Sequence, residues 1–166
     1  MTSKPWKLGR QEIEVINSRP TLRRVDFQGL PVNVEIEPGT TKSGVDERGQ
    51  AWSHVYKFPY GEILGTDGAD GDPVDCYLGP DPAAPDVYVV HQRHQNLDGA
   101  GGFYDEDKVF LGFASMSDAF DAYYDHGPAW GMGGATVMDM PAFKEYLADK
   151  RGPLRGWNPQ MFGATP

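Results

Sequence analysis

Residues 67 to 75 read Asp-Gly-Ala-Asp-Gly-Asp-Pro-Val-Asp. Four carboxylates (Asp67, Asp70, Asp72, Asp75) fall within nine positions, and Gly68, Gly71 and Pro73 between them impose tight turns. No Lys or Arg lies between Lys57 and Arg93, whereas Glu62, Asp67, Asp70, Asp72, Asp75, Asp81 and Asp86 all do. Like charges held this close raise each other's pKa unless a cation sits among them. Mg²⁺ and Ca²⁺ both take carboxylate oxygens, so a hard divalent ion is the simplest remedy. An Asp/Gly cluster taken alone reads first as a solvated acidic turn, and only its flanking residues overturn that.

Competing motifs fail on spacing. An EF-hand loop starting at Asp70 would place Val74 at its fifth position and Asp75 where its sixth requires glycine. Neither glycine-rich stretch, Leu97 to Gly102 or Gly131 to Gly134, ends in the Gly-Lys-Ser/Thr of a phosphate-binding P-loop. His54, His91, His94 and His126 lack zinc-ligand spacing. Cys76 is the only cysteine, so no intrachain disulfide forms; that fits a reducing, cytoplasmic setting, and the residue reads as a small core side chain.

At 166 residues one domain is expected, able to bury roughly 70% of its unfolded surface. No apolar run approaches the ~18 residues of a membrane span, and no apolar stretch follows Lys4, Lys7 and Arg10 as a signal peptide requires. Residues 1 to 30 carry six basic and three acidic side chains, net +3, while the remainder carries nine against 21, net −12. An acidic body of this kind argues against a phosphate-backbone-binding surface, so no nucleic-acid partner is expected. Residues 1–27 read as a basic arm, 28–152 as the folded domain and 153–166 as an extended tail.

Val32, Val34 and Ile36 alternate with Asn33, Glu35 and Glu37, the period of a half-buried strand. Tyr56 to Ile63, broken by Pro59 and Gly61, suggests a short or edge strand. Val87 to His91 and Val109 to Phe113 are further β-prone runs, and the two glycine stretches read as flexible loops. A helix is expected over about 116–125, with Ser115 and Asp118 in a capping-box pattern, a shared face of Phe120, Tyr123 and Tyr124, and Gly127-Pro128 as its end. A second is expected over about 140–151, capped by Asp139, burying Phe143, Tyr146 and Leu147 and stopped by Gly152-Pro153.

Read in order, Glu35, Lys42, Tyr60-Gly61-Glu62-Ile63, Asp70-Gly71-Asp72-Pro73-Val74-Asp75 and Asp105-Glu106-Asp107-Lys108 resemble the family I soluble inorganic pyrophosphatases. Gly65 to Asp72 and Lys108 to Phe113 look most like the compact pyrophosphatase-like domain of phages and mobile elements. The resemblance covers about residues 30 to 125. It implies an α+β, mainly β fold: a five-stranded, partly open barrel of the oligonucleotide-binding type with two helices packed outside. It implies hydrolysis of pyrophosphate, or a related phosphoanhydride, with two or more Mg²⁺ ions that neutralise the substrate and lower the pKa of the attacking water.

Residue by residue, the resemblance makes Asp70 and Asp75 metal ligands, with Asp105 a further one, for which Asp107 is an alternative. Asp72 matches the acceptor of the water's proton, and Glu35 a carboxylate behind the ligands, facing away from Val34 and Ile36. Lys42, Lys108 and Tyr60 match groups that contact phosphate, and Tyr124 a further hydroxyl, although a helical stripe equally makes it core. Gly44 stands where the family has an acid, and the place of a phosphate-binding arginine offers only His54 or Lys57. Two other readings stay open: a non-catalytic phage virion or capsid-associated protein on a degenerate pyrophosphatase fold, and a calcium-stabilised binding module. A homo-oligomer or docking on phage-particle proteins fits either setting.

Overall fold

The computed structural model describes residues 13–16, 23–46, 48–68, 71–96 and 101–148. In chain order they form β1 (Ile13–Ile16), β2 (Arg23–Phe27), β3 (Leu30–Ile36), β4 (Thr41–Val45), β5 (Ala51–Val55), β6 (Tyr60–Ile63), β7 (Val74–Leu78), β8 (Asp86–Gln95), β9 (Gly101–Leu111), α1 (Met116–His126), β10 (Met132–Asp139) and α2 (Met140–Ala148). A short sheet has the order β1-β4-β5, and a seven-stranded sheet the order β10-β8-β9-β7-β6-β3-β2. Its only parallel pair among the described strands is β7 with β9.

The expected five-stranded barrel is therefore corrected to an open, mixed seven-stranded sheet. The reason lies in the side-chain alternation of its central strands, which are apolar on both faces. On one face Val74, Cys76, Val87, Val89, Val109 and Leu111 pack with Met140, Phe143 and Leu147 of α2. On the other, Tyr77, Tyr88, Val90 and Phe110 pack with Ala119, Ala122 and Tyr123 of α1. A sheet apolar on both sides needs a cover on each. The two helices sit on opposite faces, rather than together outside a barrel.

Both helices start where their caps predict. Ser115 Oγ accepts the Asp118 N–H at 3.1 Å, and Asp139 Oδ1 accepts the Ala142 N–H at 2.9 Å. Gly127 closes α1 by donating its N–H to the Tyr123 carbonyl at 2.6 Å. The Gly152-Pro153 stop and the tail lie outside the described residues. β2, within the span read as an arm, is hydrogen-bonded along β3, and β1 along β4.

Two further expectations change. Of the two readings of Tyr56 to Ile63, the short strand holds and the edge does not: β6 has four residues and lies between β3 and β7. Gly133 and Gly134 lie inside β10 and Gly101 and Gly102 inside β9, so those described glycines belong to strands rather than loops. At Gly133 a Cβ would run into the backbone oxygen of His91, so the strands approach closely there. No described helix is long and apolar enough to cross a membrane.

Candidate functional site

The acidic loop is closed by its own backbone. Thr66 Oγ1 donates to the Ile63 carbonyl at 2.6 Å and accepts the Val74 N–H at 2.9 Å, joining the two ends of the loop. Gly68 N–H donates to the Asp72 carbonyl at 2.6 Å, and Gly71 N–H to the Gly68 carbonyl at 3.1 Å. Gly71 has φ of 85°, the left-handed region that an L side chain rarely adopts. Asp72 is partly buried in this turn, and Asp75 sits at the start of β7 immediately after it. Asp70 lies outside the described residues.

Strand register then sets a row of charged side chains across the face covered by α1. Glu62 on β6 is the partner of Asp75 on β7, which is the partner of Lys108 on β9. Lys108 Nζ donates to Asp75 Oδ2 at 2.6 Å and to the Tyr60 hydroxyl at 2.9 Å, and lies 3.2 Å from Glu106 Oε2. Burial works against the charge on Lys108, but Asp75 and then Glu106 hold it well above the usual lysine range. Burial, and then the charge of Asp75, push the Tyr60 hydroxyl well up, so it stays a neutral hydrogen-bonding group.

Glu35 joins this face through a bulge. The β3–β6 register shifts between Val34 and Ile36, so Val34 packs in the α2 layer and Ile36 in the α1 layer. The expectation that Glu35 faces away from both neighbours is corrected by that shift. Gly61 is needed at the same place, because a Cβ there would strike the backbone of Asn33 and Val34. Glu35 is buried, and its pKa is raised to about 7, first by burial, then by Glu62 and Asp75, with Lys42 acting in the opposite direction. Lys42 comes from the short sheet, on β4.

This is an excess of negative charge that a hard cation would relieve, and oxygen-only donors suit Mg²⁺. Among the described residues no three His, Cys, Asp or Glu side chains converge closely enough to hold an ion alone. The donor chemistry fits the ion, with Asp70 beyond the described set.

The structure brings together Glu35, Tyr60, Asp75 and Lys108, with Lys42 close enough to act on Glu35. It does not place Tyr124 with them. That residue is 49% exposed on α1, in ring contact with Phe120 and Tyr123. Tyr123 turns inward instead, its hydroxyl donating to the Pro128 carbonyl at 3.1 Å. Asp105 lies 3.6 Å from His94 Nε2, beside a register shift in β9, while Glu106 stands next to Lys108. Glu62 and Glu106 were missed; both sit two positions from a residue already singled out, Tyr60 and Lys108, the spacing that shares a strand face.

A cleft of about 420 Å³ adjoins this face, lined among others by Arg48, Trp52, His54, Arg93, Asp105 and Trp130. Arg48 and Arg93 come to it from separate strands and loops, where the sequence alone offers only His54 and Lys57. Burial, then His126 and Lys42, lower the His54 pKa to about 4, so it is neutral near pH 7. Lys57 pairs instead with Asp125 at 3.3 Å.

On the opposite face His91 Nδ1 contacts Asp107 Oδ1 at 2.8 Å and its Nε2 contacts Thr136 Oγ1 at 2.7 Å, with the Tyr146 hydroxyl on Asp107 Oδ2. The order resembles a hydroxyl–imidazole–carboxylate relay, but His91 is fully buried, and the chain of bonds ties α2 to the sheet. Asp107, the alternative metal ligand, is committed to it.

A family model described as Inorganic Pyrophosphatase matches residues 12–148. No curated protein and no solved structure matches the chain.

Proposed function

The chain belongs to the inorganic pyrophosphatase family, and from that premise we propose that it hydrolyses pyrophosphate, or a related phosphoanhydride, to phosphate with the help of Mg²⁺. The observation that carries the reading is the row of Glu62, Asp75 and Lys108 across three neighbouring strands beside the acidic loop, with Glu35 near enough to feel the charges of Glu62 and Asp75.

Asp70 and Asp75 would hold the ions, with Asp105 or its neighbour Glu106 as a further donor. Bound there, Mg²⁺ supplies charge neutralisation and makes water acidic enough to react near neutral pH. Asp72 takes the proton released by the attacking water. Lys108 fixes Asp75 and the Tyr60 hydroxyl in one geometry and keeps positive charge beside an anionic substrate. Lys42 adds a second cation from β4. Glu35, which gains and loses its proton near pH 7, tunes the charge behind the ligands.

A second reading draws on the same lysine. Its bond to Asp75 satisfies that carboxylate without an ion, as a non-catalytic descendant of the fold would require. Phosphate release from pyrophosphate across a Mg²⁺ series separates the two, with Ca²⁺ as the substitute ion. Turnover that needs Mg²⁺ and is not supported by Ca²⁺ is expected. Absence of release at every Mg²⁺ concentration favours the non-catalytic protein, and stabilisation by Ca²⁺ alone favours the binding module.

A further inference from the structure

We infer that the cleft beside the charged row binds a planar ring carried by the substrate, making the preferred substrate a nucleoside di- or triphosphate rather than bare pyrophosphate. The inference rests on the reading above and names its substrate class.

The cleft holds groups for which a small anion has no use. Trp52 on β5 and Trp130 in the turn Ala129–Gly131 both line it and both are half-buried. An indole face carries negative quadrupole charge, which repels an anion and accepts a flat ring or a cation. Trp52 is held in plane by stacking on His54, with centroids 5.8 Å apart at 21°. The volume of about 420 Å³ lies within the range of small-molecule sites.

Two buried polar atoms of residues lining the cleft, His54 Nε2 and Arg93 Nε, have no hydrogen-bond partner among the described residues. Such atoms cost free energy until something bonds them. The neutral His54 ring and the Gln92 amide, another lining group, suit the donor and acceptor edges of a heterocycle. Arg48 and Arg93 supply cations for the phosphates that follow it.

Two strand pairings set residues of the cleft next to residues of the charged row. Gln92 is the register partner of Glu106, which lies beside Lys108. His54 is the register partner of Lys42, which acts on Glu35. A ring in the cleft thus directs its phosphate chain towards Asp75 and the acidic loop. Hydrolysis there forms one P–O bond from water and breaks one bridging P–O bond. The electron pair leaves on the departing phosphate oxygen, and the water's proton passes to a carboxylate.

The test compares binding of two non-hydrolysable probes to the full chain in Mg²⁺ by calorimetry: α,β-methylene adenosine diphosphate and methylenediphosphonate. The nucleotide is expected to bind at least tenfold more tightly. In Trp52→Ala and Trp130→Ala the ratio of the two affinities should fall at least tenfold, while Trp52→Phe and Trp130→Phe keep it. Equal affinity of the wild type for both probes overturns the ring site whatever the variants do. If that result accompanies pyrophosphate hydrolysis, the hydrolase reading survives without the ring site. If the nucleotide binds with the tryptophan dependence but no anhydride is cleaved, the ring site stands and the hydrolase reading falls.

Discussion

Lys108 and Asp75 face each other on neighbouring parallel strands, and the lysine Nζ lies 2.6 Å from the carboxylate Oδ2. Both side chains are largely out of water, so removing one charge leaves the other uncompensated. Lys108→Met, which keeps the stem and deletes the ammonium, should cost roughly 3–5 kcal/mol in urea unfolding. Adding Asp75→Asn should recover part of that loss, because the two residues are coupled. Strict additivity of the two changes contradicts the pairing.

Glu35 gives the stability a pH dependence of defined sign. Its folded pKa of about 7 exceeds the ordinary value of 4.5, so the folded state binds the extra proton between them. Its contribution is full below about pH 4.5 and is lost as the pH rises through about 7. In EDTA, Glu35→Gln should be more stable than the wild type at pH 8 by roughly 1–3 kcal/mol. Urea midpoints at pH 5 and pH 8 check this, and an unchanged difference between the two pH values contradicts it.

His54 works in the opposite direction. Its folded pKa is lowered from 6.5 to about 4, so the unfolded chain binds the proton first as the pH drops. Stability present above about pH 6.5 is lost as the pH falls towards 4. Between pH 7 and pH 5 the wild type should lose about 1 kcal/mol more than His54→Phe, allowing for solvent screening. The comparison uses urea melts of both proteins at each pH.

Gly61→Ala should destabilise by roughly 2–4 kcal/mol, because the added methyl meets backbone rather than a side chain that can turn aside. The thermal midpoint checks it, and a midpoint within a degree of wild type contradicts the close approach of β6 to the β3 bulge.

The caps at Ser115 and Asp139, the alternation of Val32 and Val34, and the Asp70–Asp75 motif were legible because each is a local signal. The short sheet was not. Thr41 to Val45 and Ala51 to Val55 are built around Lys42, Ser43, Gly44, Ser53 and His54, which carry no apolar period and gain their order from pairing with each other. β10 hid behind Gly133, where a Cβ would meet the His91 backbone of β8, and Gly134, which has φ of 113°. Within the site, the bulges at Glu35 and near Asp105 shift which residues share a face, so the sheet sets Glu106 beside Lys108, a neighbour that the motif alone does not mark. The inward residue of α1 is Tyr123 rather than Tyr124, a one-position difference that rotation about a helix turns from core to solvent. Arg48, Arg93 and the two tryptophans are brought to one cleft from separate elements, and only tertiary structure assembles them.

The most direct test is phosphate release from pyrophosphate in Mg²⁺ by the wild type and by Asp72→Asn, with far-ultraviolet circular dichroism and Mg²⁺ binding measured on both. The substitution removes the proton acceptor and leaves the shape of the loop, so the rate should fall by roughly 10²–10⁴-fold while fold and ion affinity are kept. Equal rates for the two proteins, or no release by the wild type at any Mg²⁺ concentration, contradict the proposal.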